Sequence, residues 1–147
     1  VSEGSYLLTA THENHLAGTA PALVPRPAAS VETTFVDVDL VPTGRVLGNA
    51  LLELASNHQS TVVYVEGTSY VAVTDPAGDY VISGVPIGSH TLRAHHAGYL
   101  DDETDVALAS AGDSVTAAGM FLPLVSNLPP TVVLSGPDFA FANAPTG

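Results

Sequence analysis

Six histidines, a run of acids and a Ser-His pair are the residues of this chain whose types could do chemistry. Ser89 is followed directly by His90, and Asp75 would complete a nucleophile–base–acid set. Neighbouring residues on a strand point to opposite faces, so Ser89 and His90 are poorly placed to share a proton. No Gly-x-Ser-x-Gly elbow occurs either. His90, His95 and His96 fall on one run, with His12, His15 and His58 elsewhere. His90 and His96 share a face but lie roughly 20 Å apart at strand rise, too far for one metal ion. His95 faces the other way, so a metal site would need a histidine from another strand, such as His58. Asp101, Asp102, Glu103 and Asp105 gather hard oxygens of the kind calcium takes. They lack EF-hand spacing and an internal glycine, so the expectation is a solvated acidic loop, with calcium as the alternative. Asp37 and Asp39 share one strand face and read as its exposed side. Tyr64, Tyr70, Tyr80 and Tyr99 could form an aromatic platform for carbohydrate, although core packing is the simpler account for Tyr80 and Tyr99.

The elements that position these residues follow from composition. The chain has 147 residues, 46% hydrophobic and 12% charged, enough apolar material to fill a core. A formal charge of −12, with three Lys plus Arg, leaves no cationic face for phosphates. Nucleic acid and anionic membrane surfaces are therefore excluded as partners. All three cations are arginines, so neither a lysine isopeptide crosslink nor a Schiff base can form. Cysteine is absent, so there is no disulfide or thiolate chemistry, which suits an exported protein. The start at Val1 suggests processing or an excised segment. No apolar run approaches ~18 residues, so no segment is expected to span a bilayer.

Thirteen glycines and eleven prolines punctuate the chain, and no helix is expected. Short β-branched and aromatic runs alternate instead: 61–66 (TVVYVE), 70–74 (YVAVT) and 80–85 (YVISGV). Strands at such spacing predict a sandwich or barrel. Asp75 can accept hydrogen bonds from its own turn, Pro76 presets φ, and Gly78 supplies positive φ. A second turn, 84–88 (GVPIG), surrounds Pro86; the strand 89–95 follows, and Gly98-Tyr99 closes it. The expected inward set is Val46, Val63, Val65, Val73, Ile82, Leu92, Ala94, Val106 and Leu108.

The head repeats part of this pattern. Displaced by 84 residues, Gly4 meets Gly88, Ser5 meets Ser89, Leu8 meets Leu92, Ala10 meets Ala94 and His12 meets His96. The predicted organisation is residues 1–42 as the C-terminal half of a first module and 43–125 as a complete module. Residues 126–147 are expected to form a Pro-rich linker with one strand, 131–136 (TVVLSG). Such a period fits tandem small domains.

At these residues the chain resembles the carboxypeptidase regulatory-like domain, a transthyretin-like, Greek-key β-sandwich. The resemblance rests on Gly44 with Val46, 63–68 (VYVEGT), Thr74-Asp75 with Gly78 and Tyr80, Val85-Pro86 with Gly88 and Leu92, and Gly98-Tyr99. Leu52–His58 (LELASNH) resembles a family variant. The head departs from the pattern, with Asn14-His15 where the second copy has Gly98-Tyr99; Asn also tolerates left-handed backbone. The tail resembles the first strand of an immunoglobulin-like module. The resemblance implies a non-catalytic structural or adhesive module, extracellular or at the cell surface. Related hydroxyisourate hydrolases use a C-terminal Tyr-Arg-Gly-Ser that this chain lacks. The expected function is a spacer in a tandem surface protein or the subunit of a strand-exchanged filament. Self-association or neighbouring β modules would engage its strand edges. The alternative is a carbohydrate- or calcium-binding accessory domain of a secreted hydrolase.

Overall fold

The computed structural model describes residues 2–26 and 33–127. The predicted tail strand and its Pro-Pro linker lie outside the described residues. Eleven strands and one short 3-10 turn, Val125–Asn127, make up the described chain. From Val41 onward the strands form two facing layers. In the first, β4 (Val41–Leu52) is central. β7 (Asp79–Pro86) pairs antiparallel along one side of it. β10 (Ser114–Thr116) and β11 (Met120–Leu122) run parallel to successive stretches of β4. The second layer orders β6 (Val71–Val73), β5 (Val62–Val65), β8 (Gly88–His95) and β9 (Asp102–Leu108), each pair antiparallel. The sheets remain open, an all-β sandwich.

Alternation fills the space between the layers. Val46, Ala50 and Leu52 of β4 meet Val63 and Val65 of β5, Leu92 and Ala94 of β8, and Val106 and Leu108 of β9, all buried. On β7 the inward residues are Tyr80, Ile82 and Val85, a break in the two-residue period. The register explains it: Arg45 faces Ser83 and Gly44 faces Val85, leaving Gly84 as an extra residue at φ 75°. A bulge of this kind switches which face the following residues occupy.

Four expectations need correction. Asp37 and Asp39 lie on no strand, and residues 84–86, expected in a turn, are the end of β7, so that Ile87 alone separates it from β8. Val73 is 58% exposed; the inward positions are Ala72 of β6 and the residues flanking that strand, Tyr70 and Thr74. Thr74 is buried because its hydroxyl donates to His58 O at 2.6 Å and accepts from Thr61 N at 3.0 Å. A satisfied hydroxyl can occupy a core position that hydrophobicity alone assigns to valine. The acidic run is not a loop: Asp102, Glu103 and Asp105 lie on β9.

The head forms a separate antiparallel pair, β1 (Gly4–Ala10) with β3 (Gly18–Val24). Between them β2 (His15–Leu16) pairs with the first residues of β4, His15 opposite Pro42 and Leu16 opposite Val41. Residues 38–40 pack against β3: a Cβ on Gly18 would come within 2.9 Å of Val38 Cγ1 and 3.0 Å of Leu40 Cδ2.

Candidate functional site

The patterned turn 74–80 is held by its own side chains. Asp75 Oδ1 accepts from Ala77 N at 2.9 Å and from Asp79 N at 3.0 Å, while Gly78 N donates to Asp75 O at 2.9 Å. Gly78 sits at φ 91° with no room for a side chain: a Cβ would lie 2.7 Å from Ala50 O. Its carbonyl in turn accepts from Ala50 N, tying the turn to β4. Tyr80 follows, directly opposite Gly48, and lays its ring over that glycine. Its hydroxyl is buried without a hydrogen-bond partner, and burial pushes its pKa up to about 12. Tyr80 is thus a core residue and offers no platform for a sugar.

The remaining pattern positions are also structural. Pro86 ends β7 opposite Thr43, and its carbonyl lies 2.8 Å from His90 Nε2. Gly88 opens β8 at φ 131°. Gly98 is left-handed at φ 87°, and Tyr99 N donates to His96 O at 3.1 Å. Tyr99 packs on the core and meets the His96 ring edge-on at 5.3 Å. Ser89 and His90 share no hydrogen bond, and His90 is turned to Pro86.

The acids are arranged as one half of a cross-strand row. On the outer face of β8 and β9, Thr91 Oγ1 donates to Asp105 Oδ1 at 2.7 Å, and Arg93 Nη2 lies 2.8 Å from Glu103 Oε2. At the end of β8, His95 Nδ1 lies 2.7 Å from Oδ1 of Asp101, the residue before β9. Glu66 adds a second carboxylate to Arg93 at 2.9 Å. The hydrogen bond to Glu103, with the charge of Glu66 behind it, raises the guanidinium's affinity for its proton. Asp102 points the other way and accepts from Phe121 N at 2.8 Å. Among the described residues no group of three or more His, Asp or Glu could hold a metal ion. His12 and His15 approach to 3.2 Å between their Nδ1 atoms, a contact of two ligands only. Sequence reading missed the row, although the signal was there: Thr91, Arg93, His95 and Asp101, Glu103, Asp105 both advance by two. It also missed what His58 and Glu53 hold: His58 Nδ1 accepts from Leu52 N at 3.0 Å, and Glu53 accepts from Leu124 N at 2.8 Å.

A family model for the carboxypeptidase regulatory-like domain matches residues 36–120. The chain belongs to that family. Its regulatory-like module takes in β4 to the start of β11, so the turn 74–80 and the cross-strand row are both parts of it. Solved structures similar to the chain include a mutant type II cohesin–X-dockerin complex from Acetivibrio cellulolyticus, 22% identical with a TM-score of 0.45. That match covers 54% of this chain and 56% of the other, so the chain spans little more than half of its length. The GBS52 minor pilin of Streptococcus agalactiae is 15% identical over 82% of this chain and 63% of its own, with a TM-score of 0.43. The TIE protein of Bacillus anthracis is 16% identical over 85% of this chain and 27% of its own, also at 0.43. No curated protein matches the regulatory-like chain.

Proposed function

We propose that the chain is a non-catalytic structural module of an extracellular or cell-surface protein, a spacer that holds the next β module in a fixed orientation. The observation that carries this reading is the sharing of β4. Its residues Val41 and Pro42 pair with β2 of the head, and the rest of it is the central strand of the sandwich. Thr43 N donates to Asn14 O at 2.7 Å and Ile87 N to Pro42 O at 3.0 Å, so both sides of the boundary are tied to one strand. A hydrogen-bonded strand resists bending where a Gly/Ser linker would not. The pattern residues support the same reading, since each is engaged in turn geometry or core packing. No helix among the described residues is long and apolar enough to cross a membrane. Backbone relaxation by NMR tests the proposal: amides of β1 and β3 should report the same overall tumbling time as those of β5 and β8. Independent, faster tumbling of the head would remove the rigid-spacer reading.

A further inference from the structure

The β1·β3 pair has the register of β8·β9, displaced by 84 residues at every position. Gly4 faces Val24 as Gly88 faces Leu108, Leu8 faces Ala20 as Leu92 faces Thr104, and Ala10 faces Gly18 as Ala94 faces Asp102. The turn after it keeps its conformation with a different residue: Asn14 is left-handed at φ 57° where Gly98 is at φ 87°. His15 N donates to His12 O as Tyr99 N does to His96 O. The ring of His15 meets that of His12 edge-on at 4.9 Å, as Tyr99 meets His96.

The partners differ. β8 is flanked by β5, and its inner face is covered by the β4·β7 layer, which leaves Leu92 fully buried. Nothing described flanks β1 on that side. Leu8, in the place of Leu92, is 41% exposed. An open hollow of about 480 Å³ lies before Tyr6, Leu8, Ala22, Val24 and Val36. From this we infer that the β1·β3 hairpin and the turn at Asn14 belong to the second half of another sandwich of the regulatory-like kind. Its first half is a set of strands like β4–β7, lying directly ahead of Gly4 in the same polypeptide. The inference builds on the spacer reading and names the neighbour.

The bonding edge fixes how that neighbour must sit. In the module, Glu66 N donates to Thr91 O, so Thr91, Arg93 and His95 direct their backbone groups at β5. The corresponding Leu7, Thr9 and Thr11 therefore direct theirs at the open edge. An antiparallel strand with inward valines, as Val63 and Val65 are in β5, satisfies both the edge and the hollow. The source in cis follows from the lead-in. Gly88 at φ 131° with Ser89 receives the chain from β7, and Gly4 at φ 153° with Ser5 keeps that arrangement. A donated tail strand would fill the edge but would leave that lead-in without a strand to receive.

Amide hydrogen exchange on two chains tests this: the 147-residue chain, and the same chain with residues 43–87 repeated directly ahead of Gly4. In the first, the Leu7 and Thr9 amides should exchange about 100-fold or more faster than those of Thr91 and Arg93. In the second they should gain protection of that order. Protection of Leu7 and Thr9 equal to that of Thr91 and Arg93 in the first chain overturns the inference, whatever the fate of the extended one. Such protection vanishing on deletion of 128–147 would assign the edge to the tail instead. No gain in a folded extended chain also overturns it. The tumbling of the head relative to β5 and β8 reports separately on the spacer reading.

Discussion

Two hairpins of this chain, β1·β3 and β8·β9, share a register and differ in almost everything that covers them. On the outer face, Thr91, Arg93 and His95 engage Asp105, Glu103 and Asp101, whereas the corresponding head positions are Leu7, Thr9 and Thr11 opposite Pro21, Thr19 and Ala17. On the inner face, Leu92 is sealed and Leu8 is not. Register and turn conformation thus follow from local sequence, from a Gly-Ser lead-in and one left-handed residue. Burial follows from the layer that packs opposite. A two-stranded hairpin without such a layer should contribute little stability of its own.

Truncation of the paired leucines should separate the two hairpins most widely. Leu92→Ala should cost ~2–5 kcal/mol, because the side chain is fully enclosed and the site cannot collapse. Leu8→Ala should cost less than ~1 kcal/mol in the 147-residue chain, since much of its side chain already meets water. Urea unfolding followed on β8 amides for the first and β1 amides for the second measures both. Equal losses would mean that the head is covered after all.

Glycines come next. Gly78→Val should destabilise by ~2–3 kcal/mol, for its Cβ meets Ala50 O as well as a left-handed backbone. Gly88→Val should cost only about 1 kcal/mol, as the nearest atom to its Cβ is His90 Nε2 at 4.0 Å and backbone strain alone remains. Chemical denaturation midpoints separate them; a Gly88 effect equal to that of Gly78 would show that crowding contributes nothing.

How far the sequence could be read follows the same division. The turn 74–80 was legible because Asp75, Gly78 and Tyr80 act within a few residues of one another. The inward valines were legible from alternation, except where a distant partner decides: Thr74 is inside only because His58 O and Thr61 N reach it from another segment. The acidic run looked like a loop because its charges were read without β8, which supplies the basic and hydroxyl half of the row. The family resemblance is upheld by the match to residues 36–120.

A smaller effect comes from the unpartnered hydroxyl of Tyr80. Its folded pKa of about 12 lies above the ordinary value of 10. Between those values the unfolded chain releases a proton that the folded chain retains, so stability present below pH 10 is lost as pH rises towards 12. Tyr80→Phe should remove this component of alkaline destabilisation. At neutral pH it should leave stability within about 1 kcal/mol of the parent, because no hydrogen bond is lost. Melting curves at pH 8 and pH 11 compare the two proteins; a parent and variant that weaken in parallel would contradict the assignment.

The smallest expected effect is that of calcium on the acidic row. For calcium to bind Asp101, Glu103 and Asp105 together, it would have to draw their carboxylates away from His95, Arg93 and Thr91. Those acids stand along an extended strand and its lead-in, ~6.6 Å apart at every second residue, whereas a calcium ion gathers oxygens at ~2.3–2.6 Å. Asp102 cannot help, since its carboxylate holds Phe121 N and Glu103 N on the other side. Ligands that bind the folded state raise the melting temperature in proportion to the logarithm of their excess over Kd. Addition of calcium to about 1 mM, the range in which extracellular modules bind it, should therefore leave the melting temperature of the chelator-treated protein unchanged. Arg93→Ala sharpens the test. It frees Glu103 and Glu66 from their shared cation, and solvent screening of such surface pairs keeps the change in stability small. If calcium then stabilises the variant but not the parent, cross-strand pairing is what closes the row to metal. A calcium-dependent rise in the parent itself would show that the acids are a binding site and the pairing merely its resting state.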